Sequence, residues 1–163
     1  MKKILIAYFS TSGDTKSIAL ALKRITNGDI FEIVPAVPYT DEDLDWNKET
    51  SRSTREMNDP TSRPTIKDRI ENISEYDVIL LGFPIWWHKA PKIINTFLEK
   101  YDFTGKTIIP FSTSGSSPML EVGDSLTQSI KTATLLEGKR FDVFHTTDME
   151  LASWIDSKFE EIK

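Results

Sequence analysis

Three short segments of this 163-residue sequence concentrate the side chains that could do chemistry. The first is Ser10-Thr11-Ser12-Gly13-Asp14-Thr15, which follows an apolar run and opens a helical pattern. The start of a helix presents unpaired N–H groups and a partial positive charge, so a phosphate seated there accepts several backbone hydrogen bonds. The hydroxyls of Ser10, Thr11, Ser12 and Thr15 add donors, and Gly13 permits close backbone approach. The second is Pro84-Ile85-Trp86-Trp87-His88-Lys89-Ala90-Pro91. Adjacent residues in a loop rarely point the same way, so core packing explains two neighbouring tryptophans poorly. One is expected to cap the core and the other to offer its face to a conjugated ring. The third is Ser112-Thr113-Ser114-Gly115-Ser116-Ser117-Pro118, small and polar, able to serve the polar edge of a heterocycle. Together they meet the needs of a phosphate tail, a flat ring and that ring's edge.

Other motifs fall away on inspection. Gly105-Lys106-Thr107 imitates the end of a P-loop, but Lys100 stands where the first glycine belongs and the segment leads into a strand. Asp41, Asp43 and Asp45 imitate the start of a calcium loop, yet Trp46 takes the glycine position and Arg52 the terminal glutamate position. There is no GxGxxG and no GxSxG. His88 and His145 stand in no metal-ligand pattern, although His88 is placed to touch a ligand.

The elements that must carry these segments alternate between two periods. Apolar runs cover 4–9, 30–34, 78–83, 107–111 and 141–144, the first and third almost unbroken, as in central parallel strands covered on both faces. Helical patterns cover 15–26, 66–73, 91–101, 119–133 and 151–162. Asn27-Gly28 ends the first of them, and Pro91 suits a first turn. This alternation predicts an α/β fold of three layers, a doubly wound parallel sheet of five strands, as a single domain over residues 1–163. All three segments then fall at C-terminal strand ends, where such sheets bind ligands. Residues 35–64 are polar and hold four prolines; a structureless loop of that length is improbable, so 41–57 is expected to contain a polar helix that walls the site.

Composition narrows the function classes. With no cysteine, disulfides, thiolate metal sites and a cysteine nucleophile are excluded, and a redox role needs a bound cofactor. The same lack fits a reducing, cytoplasmic setting. A net charge of −5 without a basic cluster argues against nucleic acid. No apolar run has the length of a membrane span.

Tyr8-Phe9-Ser10-Thr11-Ser12-Gly13-Asp14-Thr15 resembles the flavodoxin phosphate signature. Gly82-Phe83-Pro84-Ile85-Trp86-Trp87 and Phe111-Ser112-Thr113-Ser114-Gly115-Ser116 are similar to the flavin loops of a flavodoxin-like subgroup, as are Arg63-Pro64 and Tyr101-Asp102-Phe103 before Gly105-Lys106. The resemblance covers nearly the whole chain and implies the strand order 2-1-3-4-5. It implies FMN, with its phosphate on residues 10–15 and its ring between residues 84–87 and 113–116. It further implies electron transfer to a redox partner protein or a small acceptor, by a monomer or homodimer, with an FMN-dependent NAD(P)H oxidoreductase acting on quinones as the alternative. One departure stands out: Asp14 occupies a position where the family usually has Asn. A carboxylate there repels a phosphate dianion unless it turns away to cap the helix, which is the expectation. Removing the charge by Asp14→Asn is expected to tighten FMN binding; equal or weaker binding in a fluorescence titration counts against the repulsion.

Overall fold

The computed structural model describes residues 1–163 apart from Ser116 and Leu120. Four strands, β1 (Ile4–Tyr8), β2 (Asp29–Glu32), β3 (Val78–Pro84) and β4 (Thr107–Thr113), pair in parallel in the order β2-β1-β3-β4. The fifth position is shared by two short strands, β5 (Thr134–Leu135) and β6 (Lys139–Phe141), both parallel to β4. The predicted α/β class and strand order 2-1-3-4-5 are therefore what the chain adopts, with the fifth strand split. Pro110 accounts for the split. Thr134 N–H and Leu136 N–H donate to the carbonyls of Lys106 and Ile108, so even-numbered backbone groups of β4 face the edge, and Pro110 has no N–H to continue that ladder.

Helices α1 (Asp14–Thr26), α2 (Arg52–Asn58), α3 (Lys92–Lys100), α4 (Val122–Thr127) and α5 (Asp148–Glu161) complete the chain. Strand periodicity sends alternate residues of the central strands to opposite faces. Leu5, Ala7, Ile79 and Leu81 pack with Ile93, Ile94 and Phe97 of α3 and with Val122 and Leu126 of α4. Ile6, Tyr8, Val78 and Leu80 pack with Ile18 and Leu22 of α1 and with Leu151 and Ile155 of α5. The sheet is thus covered twice, which is why the runs in β1 and β3 read as unbroken apolar sequence. Asn27 closes α1 in the left-handed conformation (φ 55°), its N–H donating to Lys23 O.

Three expected elements differ, and a fourth is shorter than the stretch that holds it. Residues 66–73 form no helix: Lys67 N–H donates to Val34 O and Ala36 N–H to Thr65 O, both at 2.8 Å, so Ile66 bridges antiparallel to Pro35. Ile70 N–H goes to the Tyr101 hydroxyl at 3.0 Å, and only Ile73–Glu75 make a 3-10 turn. Ile66 and Ile70 are both buried, and their spacing imitates a helical face. The polar helix expected within 41–57 is present as Arg52–Asn58, at the end of that stretch. Upstream, Asp43 Oδ2 accepts from Thr40 N–H and Asp45 Oδ1 from Asn47 N–H, each at 3.0 Å, and such side-chain bonds compete with helix. The helix expected over 119–133 shrinks to α4. The last strand lies at 139–141 instead of 141–144, because Asp142 Oδ1 takes the Phe144 N–H at 3.0 Å and turns the chain outward, leaving Phe144 86% exposed.

β3 owes its close pairing with β4 to Gly82, whose neighbour across the ladder is Phe111. A Cβ at 82 would lie 2.2 Å from the Phe111 ring. Gly82→Ala is expected to lose about 1–3 kcal/mol of stability in urea unfolding, because the ring must leave its rotamer; an unchanged midpoint contradicts this packing.

Candidate functional site at the C-terminal rim of the sheet

The loop from β1 to α1 is shaped by Ser10 and Gly13. Ser10 Oγ accepts from Gly13 N–H at 3.1 Å and from Lys16 N–H at 3.3 Å, while Gly13 takes φ +95°, a left-handed value that favours glycine. Asp14, expected to cap the helix, does not: Gly13 holds the cap position, and no side-chain cap bond is made there. The first-turn role falls to Ser10 instead. Among the described residues, the N–H groups of Thr11, Ser12, Asp14 and Thr15 find no partner, so four backbone donors stand open beside one another at a helix start. Thr11 and Ser12 are exposed and their hydroxyls are open to a ligand, whereas the Thr15 hydroxyl is buried and bonded to the Thr113 hydroxyl at 2.8 Å.

That bond joins the first loop to the third. Thr113 ends β4, and its carbonyl accepts from Ile85 N–H at 3.1 Å, which joins the second loop as well. Beyond it, Ser114 Oγ donates to Ser117 O at 2.6 Å and Arg140 Nη1 donates to Ser114 O at 2.9 Å, while Gly115 is exposed. Ser116 lies outside the described residues.

After β3, Pro84 and Ile85 lead into a tight turn in which Trp86 and Lys89 exchange both backbone hydrogen bonds at 2.9 Å. Its central residues, Trp87 and His88, have φ of 48° and 66°. Two consecutive positive φ values define the turn that normally selects Asn-Gly, so both residues are strained. The turn divides the tryptophans. Trp86 packs edge-on against Phe9 (5.7 Å between ring centroids) and Tyr39 (5.5 Å), so it is the one tied to the core. Trp87 is 41% exposed and free to meet a ligand, and His88 is exposed beside it.

Sequence reasoning did not name the residues that the 35–64 segment brings to this rim. Arg52 fastens that segment: its Nη1 donates to Val37 O at 2.7 Å, its Nε to Glu56 Oε2 at 3.0 Å, and its guanidinium lies 3.9 Å from the centre of the Tyr39 ring. Tyr39 donates to Glu56, and burial, followed by that carboxylate, pushes its phenol well above the usual range, so it stays a donor. Through Tyr39 the segment rests on Trp86. A cavity of about 510 Å³ opens between them, lined by Leu44, Trp46 and Ser53 on one side and by Ile85, Trp86, Trp87 and Ser117 on the other. None of these side chains is charged. Trp46 is 69% exposed at its rim; a lone tryptophan amid a polar stretch was the available signal. A cavity of about 630 Å³ lies elsewhere, between Leu98–Thr104 and Gln128–Ala133 at the N-terminal ends of β4 and β5, away from all three loops. Among the described residues no helix is long and apolar enough to cross a membrane.

Comparison with known proteins agrees with this fold. A family model described as Flavodoxin matches residues 3–158. The chain superposes with a TM-score of 0.91 on a Bacteroides eggerthii protein put forward as a flavoprotein, with 44% identity over 96% of this chain and 98% of that one. A flavoprotein of Lactobacillus acidophilus in complex with FMN is similar in fold, with TM-score 0.72 and 24% identity over 94% of this chain and 99% of that one. Oxidised flavodoxin 2 of Bacillus cereus shares the fold at TM-score 0.61 and 20% identity, over 98% and 99% of the two chains. A search of curated proteins finds no match.

The strained turn yields a prediction. His88→Gly removes the penalty on one positive φ and is expected to raise stability by about 1 kcal/mol in urea unfolding; a lower midpoint means that the turn is not in this conformation in solution.

Proposed function

The chain belongs to the flavodoxin family, and from that premise we propose that it binds FMN without covalent attachment and carries electrons on it. The observation that carries the reading is the convergence, through Thr113, of four open backbone donors with an uncharged cavity walled by aromatic rings. The residues fit the cofactor. The N–H groups of Thr11, Ser12, Asp14 and Thr15, with the Thr11 and Ser12 hydroxyls, suit a phosphate that Ser10 and Gly13 hold a place for. Pro84, Ile85, Trp86 and Trp87 on one side, and Thr113, Ser114, Gly115 and Ser116 on the other, receive the ring. When bound, FMN supplies the exchange of one or two electrons. The chain's part is to fix the phosphate, press the ring against apolar surface and exclude water from it. It works as a single domain, as a monomer or homodimer in the cytoplasm, delivering electrons to a protein partner or a small acceptor.

A second reading has one observation in its favour. The 35–64 segment walls the cavity with Leu44, Trp46 and Ser53, which a pure carrier does not need and a pocket for a small acceptor does. In that reading the protein is an FMN-dependent NAD(P)H oxidoreductase acting on quinones or similar acceptors.

The test is direct. Purified protein is expected to be yellow, to release FMN on heating and to keep its flavin absorbance when NADPH alone is added. Failure of the apoprotein to bind FMN in a saturating titration removes the proposal. Rapid bleaching by NADPH with turnover on a quinone replaces the carrier by the oxidoreductase.

A further inference from the structure

Ser53 is 2% exposed and lies in the first turn of α2, among the residues that line the aromatic cavity. Its Oγ is buried and has no hydrogen-bond partner among the described residues. The local fold explains why. A serine deeper in a helix can donate back to the carbonyl four residues earlier, but residue 49 precedes the helix, so its carbonyl is not stacked beneath Ser53 by the helical repeat. The neighbouring hydroxyls are occupied with each other: Ser51 Oγ donates to Thr54 Oγ1 at 2.9 Å and accepts from Thr54 N–H. The Ser53 backbone cannot swing away to find water either, because its N–H is fixed on Asp43 O at 2.9 Å. A buried hydroxyl held without a partner costs stability, and this one sits in a residue that lines a ligand-sized cavity, where a ligand can supply the missing partner. The other buried polar atom in this state among the described residues, Asn95 Oδ1, belongs to a residue of α3 whose amide nitrogen is bonded to Ser125 O and Ser129 Oγ, and Asn95 does not line the aromatic cavity.

We infer that Ser53 is a ligand-binding residue whose hydroxyl bonds the polar edge of the planar ring seated between Trp86, Trp87 and Trp46, so that the 35–64 segment is part of the binding site. This rests on the FMN reading above. The ring edge has the right chemistry for this place: carbonyl oxygens that accept from the hydroxyl and a ring N–H that donates to it, whereas the phosphate is held at the far loop. The remaining wall, Leu44, Ile85, Ser117 and the indoles, is uncharged, and its apolar groups offer the ring its faces. Ser53 and Ser117 bring the two hydroxyls of this lining, and the one at Ser53, buried and unpartnered, favours the polar edge of the heterocycle over its dimethylbenzene end.

The experiment compares FMN and riboflavin binding to the full-length apoprotein by quenching of flavin fluorescence. Ser53→Ala is expected to weaken both ligands equally, by about three- to tenfold, because both carry the same ring. The apoprotein's melting temperature should stay level or rise, since an unpaired hydroxyl has been removed. Ser53→Thr, which keeps the hydroxyl, should retain more of the affinity than Ser53→Ala. As a contrast, Thr11→Ala should weaken FMN and leave riboflavin unchanged. Riboflavin affinity within twofold of wild type in Ser53→Ala overturns the inference and leaves the FMN reading standing. So does unchanged flavin affinity with a raised KM for a quinone, which assigns the hydroxyl to the acceptor. Absence of FMN binding by the wild-type chain overturns both.

Discussion

Thr113 holds the rim together. It is the last residue of β4, it is buried, and it uses both of its polar groups on other loops: its hydroxyl on Thr15 and its carbonyl on Ile85 N–H. Three loops that enter from β1, β3 and β4 are thereby fixed to one another by two hydrogen bonds shielded from water, where each is worth more than at the surface. The arrangement depends on β4 running beside β3 and on β3 running beside β1, so that all three strands end at one level. The continuous apolar sequence of β1 and β3 exists to bury that central region between two helical layers.

The sheet is strict at its centre and loose at its edge, and the difference has a cause in the sequence. Pro110 interrupts the ladder toward the fifth strand while keeping its place opposite Leu81 of β3. The edge strand then pairs in two pieces, of which β6 lies beside Phe111–Thr113. Arg140, on β6, is carried to Ser114 O and steadies the loop beyond Thr113. A residue that weakens the edge thus leaves the support of the third loop intact, because support comes from the piece nearer the rim.

What could be read from the sequence follows the same division. The central strands, α1, α3 and α5 announce themselves because their burial is periodic and local. The positions of the three loops followed from strand ends alone. The parts that stayed hidden are those whose backbone bonds go to distant or side-chain partners. Ile66 and Ile70 look helical, yet the groups around them are claimed by Val34, Thr65 and the Tyr101 hydroxyl. Asp43 and Asp45 look like helix surface, yet they cap their own turns. Which tryptophan turns inward could not be decided from two identical neighbours. It is decided by Phe9 and Tyr39, and Tyr39 comes from a segment whose path depends on the Arg52 anchor. Ser53 was hidden for the same reason, since a serine in a polar stretch carries no mark of burial.

Local rules are broken at this cavity in two unrelated ways. Trp87 and His88 occupy a turn built for Asn-Gly, and Ser53 keeps a hydroxyl that nothing in the fold satisfies. Each is a standing cost of the order of 1 kcal/mol or more, and neither helps the sheet to form. They come from separate elements, one following β3 and one in α2, and they meet across the same aromatic opening. Selection for stability alone would place glycine in the turn and alanine at 53. That both departures border one cavity, while the neighbouring hydroxyls of Ser51 and Thr54 are bonded to each other, is the pattern expected where structure has been shaped by what it must hold.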